Sequence, residues 1–544
     1  MSELLTTNQM KFIENQAIQN GQITGLQLME NAGLAVVNVI FDEWPELKKK
    51  FANAIILCGP GNNGGDGFVI SRLLKEKGWA VQVFFYGSIT KLPKDAKVTY
   101  KRWLQMGSVK SLSFRKTLKW SQFRNYDIVV DALFGTGLTR AVELPLEMPK
   151  SSSGRTRNFR LVSVDIASGL CADSGRILSD KHGNINAIGP ADLTVTFHRP
   201  KVGHVLADGP RMSKRLKVVD IGISSDKKGV LQQANTTFSI AGNSKWFQSY
   251  YSQEHGVSEV LDKFNPCNVR HKYQHGHAIV VAGPLKSSGA VRLAARGALR
   301  VGAGLVSVVC DNATLFAHAL HLNAIMTKVA NNDDDFETLL EDQRMNAICL
   351  GPGLGIQKAQ NWVPVALKSH RAVVLDADAL TAFSKNPSEL FDMLHDRCIL
   401  TPHEGEFKRL FPDIANKLIL AIEQGPVFSK RDAVIEAAAR ANCTILLKGA
   451  DTVIGHSDGR TVINSASYDP AAHWLATAGS GDVLSGFIVG LLARGFTPMD
   501  AARISAWLHV ECACLFGPGL IAEDIPEQIP KILSTLDHYT NTLP

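Results

Sequence analysis

The stretch Ala54-Ile-Ile-Leu-Cys-Gly-Pro-Gly-Asn-Asn-Gly-Gly-Asp-Gly67 decides the fold class. Its first five residues are apolar and end at Gly-Pro, which reads as a short buried strand. The glycine-rich turn that follows leads into a helix expected over 68–77. Strand, glycine turn and helix together form a cradle for phosphate, because backbone N–H groups and the helix dipole converge on an anion there. The spacing does not fit G-x-G-x-x-G, and the next strand, 81–86, ends in aromatics where a ribose-binding acid belongs. A dinucleotide-dependent dehydrogenase is therefore rejected. Two Asn and one Asp exceed what a purely structural turn needs.

Outward from this stretch, residues 7–41 show helical periodicity. Strands follow at α/β spacing. Ile128-Val-Val-Asp131 opens into Ala-Leu-Phe-Gly-Thr-Gly-Leu138, and Leu161-Val-Ser-Val-Asp165 opens into Ile-Ala-Ser-Gly-Leu170. Residues 193–197 and 216–220 read as later strands. The carboxyl ends of parallel strands form the ligand crevice of an open sheet. Asp131, Asp165 and the Asn62–Asp66 turn would meet there, although either aspartate alone would also suit a helix cap or a turn. The strand pattern lapses from Ser224 to Phe247, which sets the expected boundary between domains 1–226 and 227–544.

The second half repeats the α/β alternation. Ala347-Ile-Cys-Leu350 runs into Gly351-Pro-Gly-Leu-Gly355, Cys398-Ile-Leu400 into Thr401-Pro-His-Glu-Gly-Glu406, and Thr444-Ile-Leu-Leu447 into Lys448-Gly-Ala-Asp-Thr452. Ala476-Thr-Ala-Gly-Ser-Gly-Asp-Val-Leu-Ser-Gly486 joins small residues to one carboxylate, Asp482, and then to an apolar run that reads as a buried helix. Free N–H groups at such a helix start hold an anion, and a carboxylate beside bound phosphate can take a proton from a reacting hydroxyl. His271-Lys-Tyr-Gln-His-Gly-His277 lacks completing ligands and reads as a polar lead-in to a strand rather than a metal tract.

Bulk properties narrow the classes. A chain of 544 residues should hold more than one domain, and 45% apolar with 20% charged residues is ordinary for soluble protein. No run of eighteen apolar residues predicts a membrane span, and the polar N-terminus is not a secretory signal. Nine cysteines, mostly in apolar runs, suit reduced thiols in the cytoplasm. The net charge of +7 comes without a dense basic block or a nucleic-acid motif, so it points to phosphorylated small molecules instead.

Four motifs, Leu28-Met-Glu-Asn-Ala-Gly33, Gly61-Asn-Asn-Gly-Gly-Asp-Gly67, Asp131-Ala-Leu-Phe-Gly-Thr-Gly137 and Val164-Asp-Ile-Ala-Ser-Gly-Leu170, resemble the NAD(P)H-hydrate epimerase domain, a Rossmann-like three-layer α/β fold. The resemblance implies that Asn62, Asn63, Gly64, Gly65 and Asp66, with Gly135, Thr136, Gly137, Leu138, Thr139, Arg140 and Ala141, line the substrate. It implies Asp165 as acid/base and a potassium ion held through Asn63, Asp131 and Ser168. Ala167 and Cys171 depart from the family's usual Pro and Asp. The motifs of residues 248–535 resemble the ADP-dependent NAD(P)H-hydrate dehydratase domain, which is ribokinase-like. That resemblance implies that Ala303, Gly353, His403 and Asp482 contact the hydrated nicotinamide. Lys448, Gly449, Ala450, Asp451, Thr452 and Gly481 would hold the adenine nucleotide, with magnesium as counterion.

The expected function is therefore repair of hydrated NADH and NADPH (NADHX and NADPHX), by epimerisation of the R and S forms and ADP-dependent dehydration of the S form. Asp165 and Asp482 are the expected catalytic residues. A homo-oligomer is expected, without nucleic-acid or membrane partners. Two rivals stay open on the sequence: a small-molecule kinase of the vitamin-precursor type, and a non-catalytic N-terminal binding module.

Overall fold

The computed structural model describes residues 2–49, 51–113, 118–143, 146–147, 158–179, 187–223, 237–239, 271–419, 427–467 and 471–540. The chain divides into two compact units: residues 3–233 with 420–429, and residues 1–2 with 234–419 and 430–544. The expected boundary at 226/227 lies outside the described residues.

In the first unit β1 (Asn53–Cys58), β2 (Ala80–Tyr86), β3 (Val109–Leu112), β4 (Ile128–Ala132), β5 (Arg160–Val164), β6 (Leu193–Phe197) and β7 (Leu216–Val219) form one sheet. Its order is β7-β6-β5-β4-β1-β2-β3, and every pairing is parallel. The chain runs outward from β1 to β3, then returns to the other side of β1 as β4. The crevice at the carboxyl ends of β1 and β4 is thus a topological switch point, where open α/β sheets bind ligands.

Alternation along the strands buries both faces. Ala54, Ile56 and Cys58 meet helices on one side, and Ile55 and Leu57 meet Phe123, Phe159 and Leu118 on the other. The first face carries α1 (Thr7–Gln19), α2 (Gly25–Glu43), α3 (Asn62–Glu76) and α4 (Lys94–Leu104). Buried Leu28, Met29, Ala32, Val36, Val37 and Ile40 give α2 an apolar stripe at helical spacing. Among the described residues the opposite face is covered by loops and a short 3₁₀ segment, Trp120–Asn125, rather than α-helices.

Two expectations shift. The helical pattern over 7–41 is two helices, because Gly21 takes a positive φ and Thr24 caps α2 afresh in a capping box with Gln27. The glycine-rich turn is mostly helix: α3 starts at Asn62, not at 68. Its glycines are required by close approach. A Cβ on Gly64 would fall on the Gly59 carbonyl, and one on Gly65 would meet the Met29 sulfur. Tertiary packing overrides the poor helix propensity of glycine.

In the second unit β8 (Thr237–Ser239), β9 (His277–Val281), β10 (Leu305–Cys310), β11 (Met326–Val329), β12 (Met345–Leu350), β13 (Ala372–Leu375), β14 (Cys398–Leu400), β15 (Thr444–Leu447), β16 (Asp451–Gly455) and β17 (Thr461–Ser465) follow the order β8-β17-β16-β15-β14-β13-β12-β9-β10-β11. The β15-β16-β17 pairings are antiparallel and the others parallel. One face carries α5 (Ser288–Arg300), α6 (Ser480–Ala493) and α7 (Pro498–Phe516). Every residue of α6 from Val483 to Ala493 is buried, as its apolar sequence predicts. Gly486 and Gly490 bring α6 against the α5 backbone at Ala294 and Ala298. The mixed α/β composition of both units agrees with the expected fold class. No helix among the described residues is long and apolar enough to cross a membrane.

Candidate functional site

A cavity of about 540 Å³ opens at the switch point of the first unit. Asn62, Asn63, Asp66, Gly135, Thr136, Gly137, Leu138, Thr139, Arg140 and Asp165 line it. Gly64, Gly65 and Ala141 are not in the lining: the two glycines lie within α3, against the Gly59 backbone and the Met29 side chain, and Ala141 packs against a small cluster that includes Cys171 and Leu178. Ala167 and Cys171 are themselves buried.

Asp165 follows β5 with φ +64, a left-handed conformation that a non-glycine residue adopts only when its surroundings fix it. Its N–H donates to the Val195 carbonyl at 2.7 Å, and its own carbonyl meets His204 Nε2 at 2.9 Å. The Lys201 N–H donates to His204 Nδ1, so Nε2 carries the proton and the ring is neutral. Burial pushes His204 down to about 4, with the Lys201 ammonium adding to the effect. The Asp165 carboxylate accepts from Thr196 Oγ1 at 2.9 Å and from Lys201 Nζ at 3.1 Å. Burial acts to raise this carboxyl, but Lys201 and its hydrogen bonds hold it below the ordinary range. Lys201 is itself only 1% exposed and also donates to the carbonyls of Phe197 and Arg199. Asp165 is therefore an ionised carboxylate facing a cavity.

Asp131, at the end of β4, is wholly buried. Its carboxyl accepts from Ser168 Oγ at 2.6 Å and Ser168 N at 2.9 Å, and burial still pushes it up to about 6. Asn63 is 8% exposed, and neither polar atom of its side chain has a partner among the described residues. A buried amide oxygen without a donor, a buried carboxylate and a hydroxyl are the oxygen donors a hard monovalent cation takes.

In the second unit Gly479 turns the chain with a positive φ, and Asp482 sits in the first turn of α6. Burial pushes Asp482 up to about 6, with Asp376 adding and Lys448 opposing. Lys448, just past β15, donates to Asp376 Oδ1 at 2.7 Å, and Ser485 Oγ donates to Asp376 Oδ2 at 2.7 Å. A Cβ on Gly481 would stand 3.5 Å from Lys448 Nζ. Lys448, Gly481 and Asp482 thus converge, with Asp376 as the hub. His509 Nε2 meets the Ser480 carbonyl at 2.9 Å and fixes the helix start from behind.

The remaining predicted residues make other contacts. Asp451 pairs with Lys430 at 2.7 Å, and Thr452 Oγ1 donates to the Gly449 carbonyl. Gly449 and Ala450 are exposed. His403 caps the short helix Glu404–Leu410 by accepting from Gly405 N and Glu406 N, which leaves its ring half-exposed. Gly353 has φ +58 and accepts from Ser287 Oγ at 2.6 Å. Ala303 is wholly buried.

Residues 278–532 match the family described as NAD(P)H-hydrate dehydratase, and residues 25–203 match the YjeF-related protein N-terminus. The bifunctional NAD(P)H-hydrate repair enzyme Nnr of Moorella thermoacetica is 33% identical over 564 residues, covering 99% of this chain and 98% of its own. The chain belongs to the bifunctional NAD(P)H-hydrate repair enzymes. The NAD(P)H-hydrate epimerase of Rhodobacter capsulatus is 42% identical over 209 residues, 38% of this repair enzyme and 92% of the relative. The ADP/ATP-dependent NAD(P)H-hydrate dehydratase of Bacillus subtilis, crystallised with ATP/Mg2+, is 27% identical over 49% of the repair enzyme and 92% of its own chain, with a TM-score of 0.40.

Sequence reasoning missed Lys201, Thr196 and His204 around Asp165 in the first unit of this repair enzyme, Glu14 in the cavity lining, and Asp376 in the second unit. Thr196, Lys201 and Asp376 lie at or just past strand ends, a signal that the strand-end rule offers. Glu14 gave none, since it stands on a helix far along the chain from the glycine-rich stretch.

Proposed function

We propose that the first unit interconverts the R and S epimers of NADHX and NADPHX, and that the second dehydrates the S form with ADP, releasing AMP and phosphate. The observation that carries this reading is the buried Lys201–Asp165 pair facing the cavity at the β1/β4 switch point. A hydrated nicotinamide carries a hydroxyl on the carbon beside the ring nitrogen. The nitrogen lone pair can expel it, and water can return on the other face. A carboxylate kept ionised in a low-dielectric pocket can deprotonate that water, a contribution of roughly 10²–10⁴-fold. Lys201 keeps Asp165 ionised, and the Gly135–Arg140 loop with Asn62 and Asn63 orients the substrate around it.

Potassium would be held through Asn63, Asp131 and Ser168. It would supply the positive charge that Asp131 lacks and fix the loops on either side of the cavity.

In the second unit Asp482 takes the proton from the substrate hydroxyl as it becomes phosphorylated, and the N–H groups of the α6 start hold the phosphate. Phosphate is a far better leaving group than hydroxide, so its departure restores the ring double bond. Lys448 and Gly481, with the Gly449–Thr452 segment, would hold the nucleotide. Among the described residues no group of three His, Cys, Asp or Glu side chains is arranged for a metal, so magnesium would enter with the nucleotide as its counterion.

Separated epimers test the reading. The R form given to the protein without ADP should yield the S form by chromatography, and ADP should then give one AMP and one phosphate per NADH regained. Accumulation of a stable phosphorylated acceptor would instead establish a kinase.

A further inference from the structure

The cavity of the first unit holds other carboxyls besides Asp165, Glu14 among them. Glu14 reaches the lining from α1, together with Lys11 and Ile18 one helical turn to either side. The start of α1 is tied to the cavity rim: Thr7 N donates to Asp173 Oδ1 at 2.6 Å, and Thr7 Oγ1 donates to the Thr136 carbonyl at 3.2 Å. Glu14 is thereby placed by a helix, and Asp165 by the end of β5. The Glu14 carboxyl takes part in no hydrogen bond or ion pair with the described protein groups. Four carboxyls line the cavity, and the environments of Glu14, Asp66 and Asp165 set these three apart. Lys201 holds Asp165 ionised. Asp66 is driven well above its ordinary range by burial and by the other two. Glu14 is pushed up to about 7 by burial and Asp165, against Lys201 and Lys11. Groups with separated protonation states in one site mark an acid and a base.

We propose that Glu14 is the second acid/base of the epimerisation, serving the ring face that Asp165 does not. The inference rests on the epimerase reading above. An ionised Asp165 can receive a proton but has none to give the departing hydroxyl. In one direction the ring nitrogen's lone pair forms the C=N bond, the C–O bond breaks, and the departing oxygen takes the Glu14 proton and leaves as water. A second water then attacks the same carbon from the opposite face, the C=N electrons return to nitrogen, and Asp165 accepts the proton of that water. One water leaves, one enters, and one proton passes from Glu14 to Asp165. Exchange with solvent resets both groups. In the other direction Asp165 first takes a proton from solvent and Glu14 gives one up, and the two then exchange roles.

Oxygen exchange tests this face by face. Each separated epimer, labelled with ¹⁸O at the hydroxyl, is incubated with full-length protein in unlabelled water, and both inversion and label loss are followed. Unaltered protein should invert both epimers and wash out both labels. Glu14→Gln should slow inversion at least 100-fold while one epimer still loses its label; Asp165→Asn should spare the label loss of the opposite epimer. Glu14→Asp, which retains the carboxyl, should recover part of the inversion. Inversion by Glu14→Gln within threefold of the unaltered protein would overturn the proposal. So would equal loss of washout from both epimers in a variant that melts like the unaltered protein. If the unaltered protein inverts neither epimer, the epimerase reading fails and this inference with it.

Discussion

Lys201 and Asp165 form an ion pair taken almost wholly out of water. Such a pair is costly to break from one side, because the remaining charge is stranded. Lys201→Met should therefore destabilise the first unit by about 3–5 kcal/mol in a denaturant titration. The sign of the pH effect follows from the direction of the shift. Asp165 is depressed in the folded protein, so the pair's stabilisation is present at neutral pH and lost as pH falls through its folded value. In Lys201→Met burial loses its strongest opponent and the carboxyl rises. The acid limb of the epimerisation pH profile should move upward and activity at neutral pH should drop. Asp482 has the opposite bias. Raised to about 6, it is protonated below that value, so dehydration should fall about tenfold per pH unit below about 6. Asp376→Asn removes a like charge beside it and should move that limb downward. At this scale the sequence shows which carboxylates stand at strand ends and helix starts. It hides Lys201 and Asp376, whose partners lie 36 and 72 residues away and meet them only in the fold.

The two helix starts, α3 and α6, are seated by glycines that allow contact with backbone. Gly64→Ala would drive a methyl into the Gly59 carbonyl, and Gly486→Ala one into the Ala294 carbonyl. Each should cost about 3 kcal/mol, the upper end of overpacking, read as a lowered melting temperature. The functional losses should separate: Gly64→Ala lowers epimerisation because α3 carries Asn62, Asn63 and Asp66, and Gly486→Ala lowers dehydration because α6 carries Asp482. Strands were legible from their apolar runs, and α6 from an apolar pattern without a polar face. The start of α3 was not, because glycine-rich sequence favours a turn unless packing demands small residues there. The break between α1 and α2 turns on one glycine and one threonine cap, which a continuous periodicity conceals.

For the molecule as a whole, the expectation of two α/β sheets, each with polar residues at strand ends, is met by the two compact units. In the function proposed above, each carries its own acid–base residue and its own reaction. Fusion is useful because the dehydrating site accepts one hand of a substrate that interconverts. Asp165→Asn should abolish epimerisation and leave dehydration of the S form, and Asp482→Asn should do the reverse; separate assays on single epimers check both. The most direct measurement is absorbance in the reduced-nicotinamide band after the protein is added to mixed-epimer NADHX, with and without ADP. The account predicts ADP-dependent return of nearly all the signal. Return of only the S fraction would contradict catalysis by the first unit, and no return with ADP present would contradict the repair function itself.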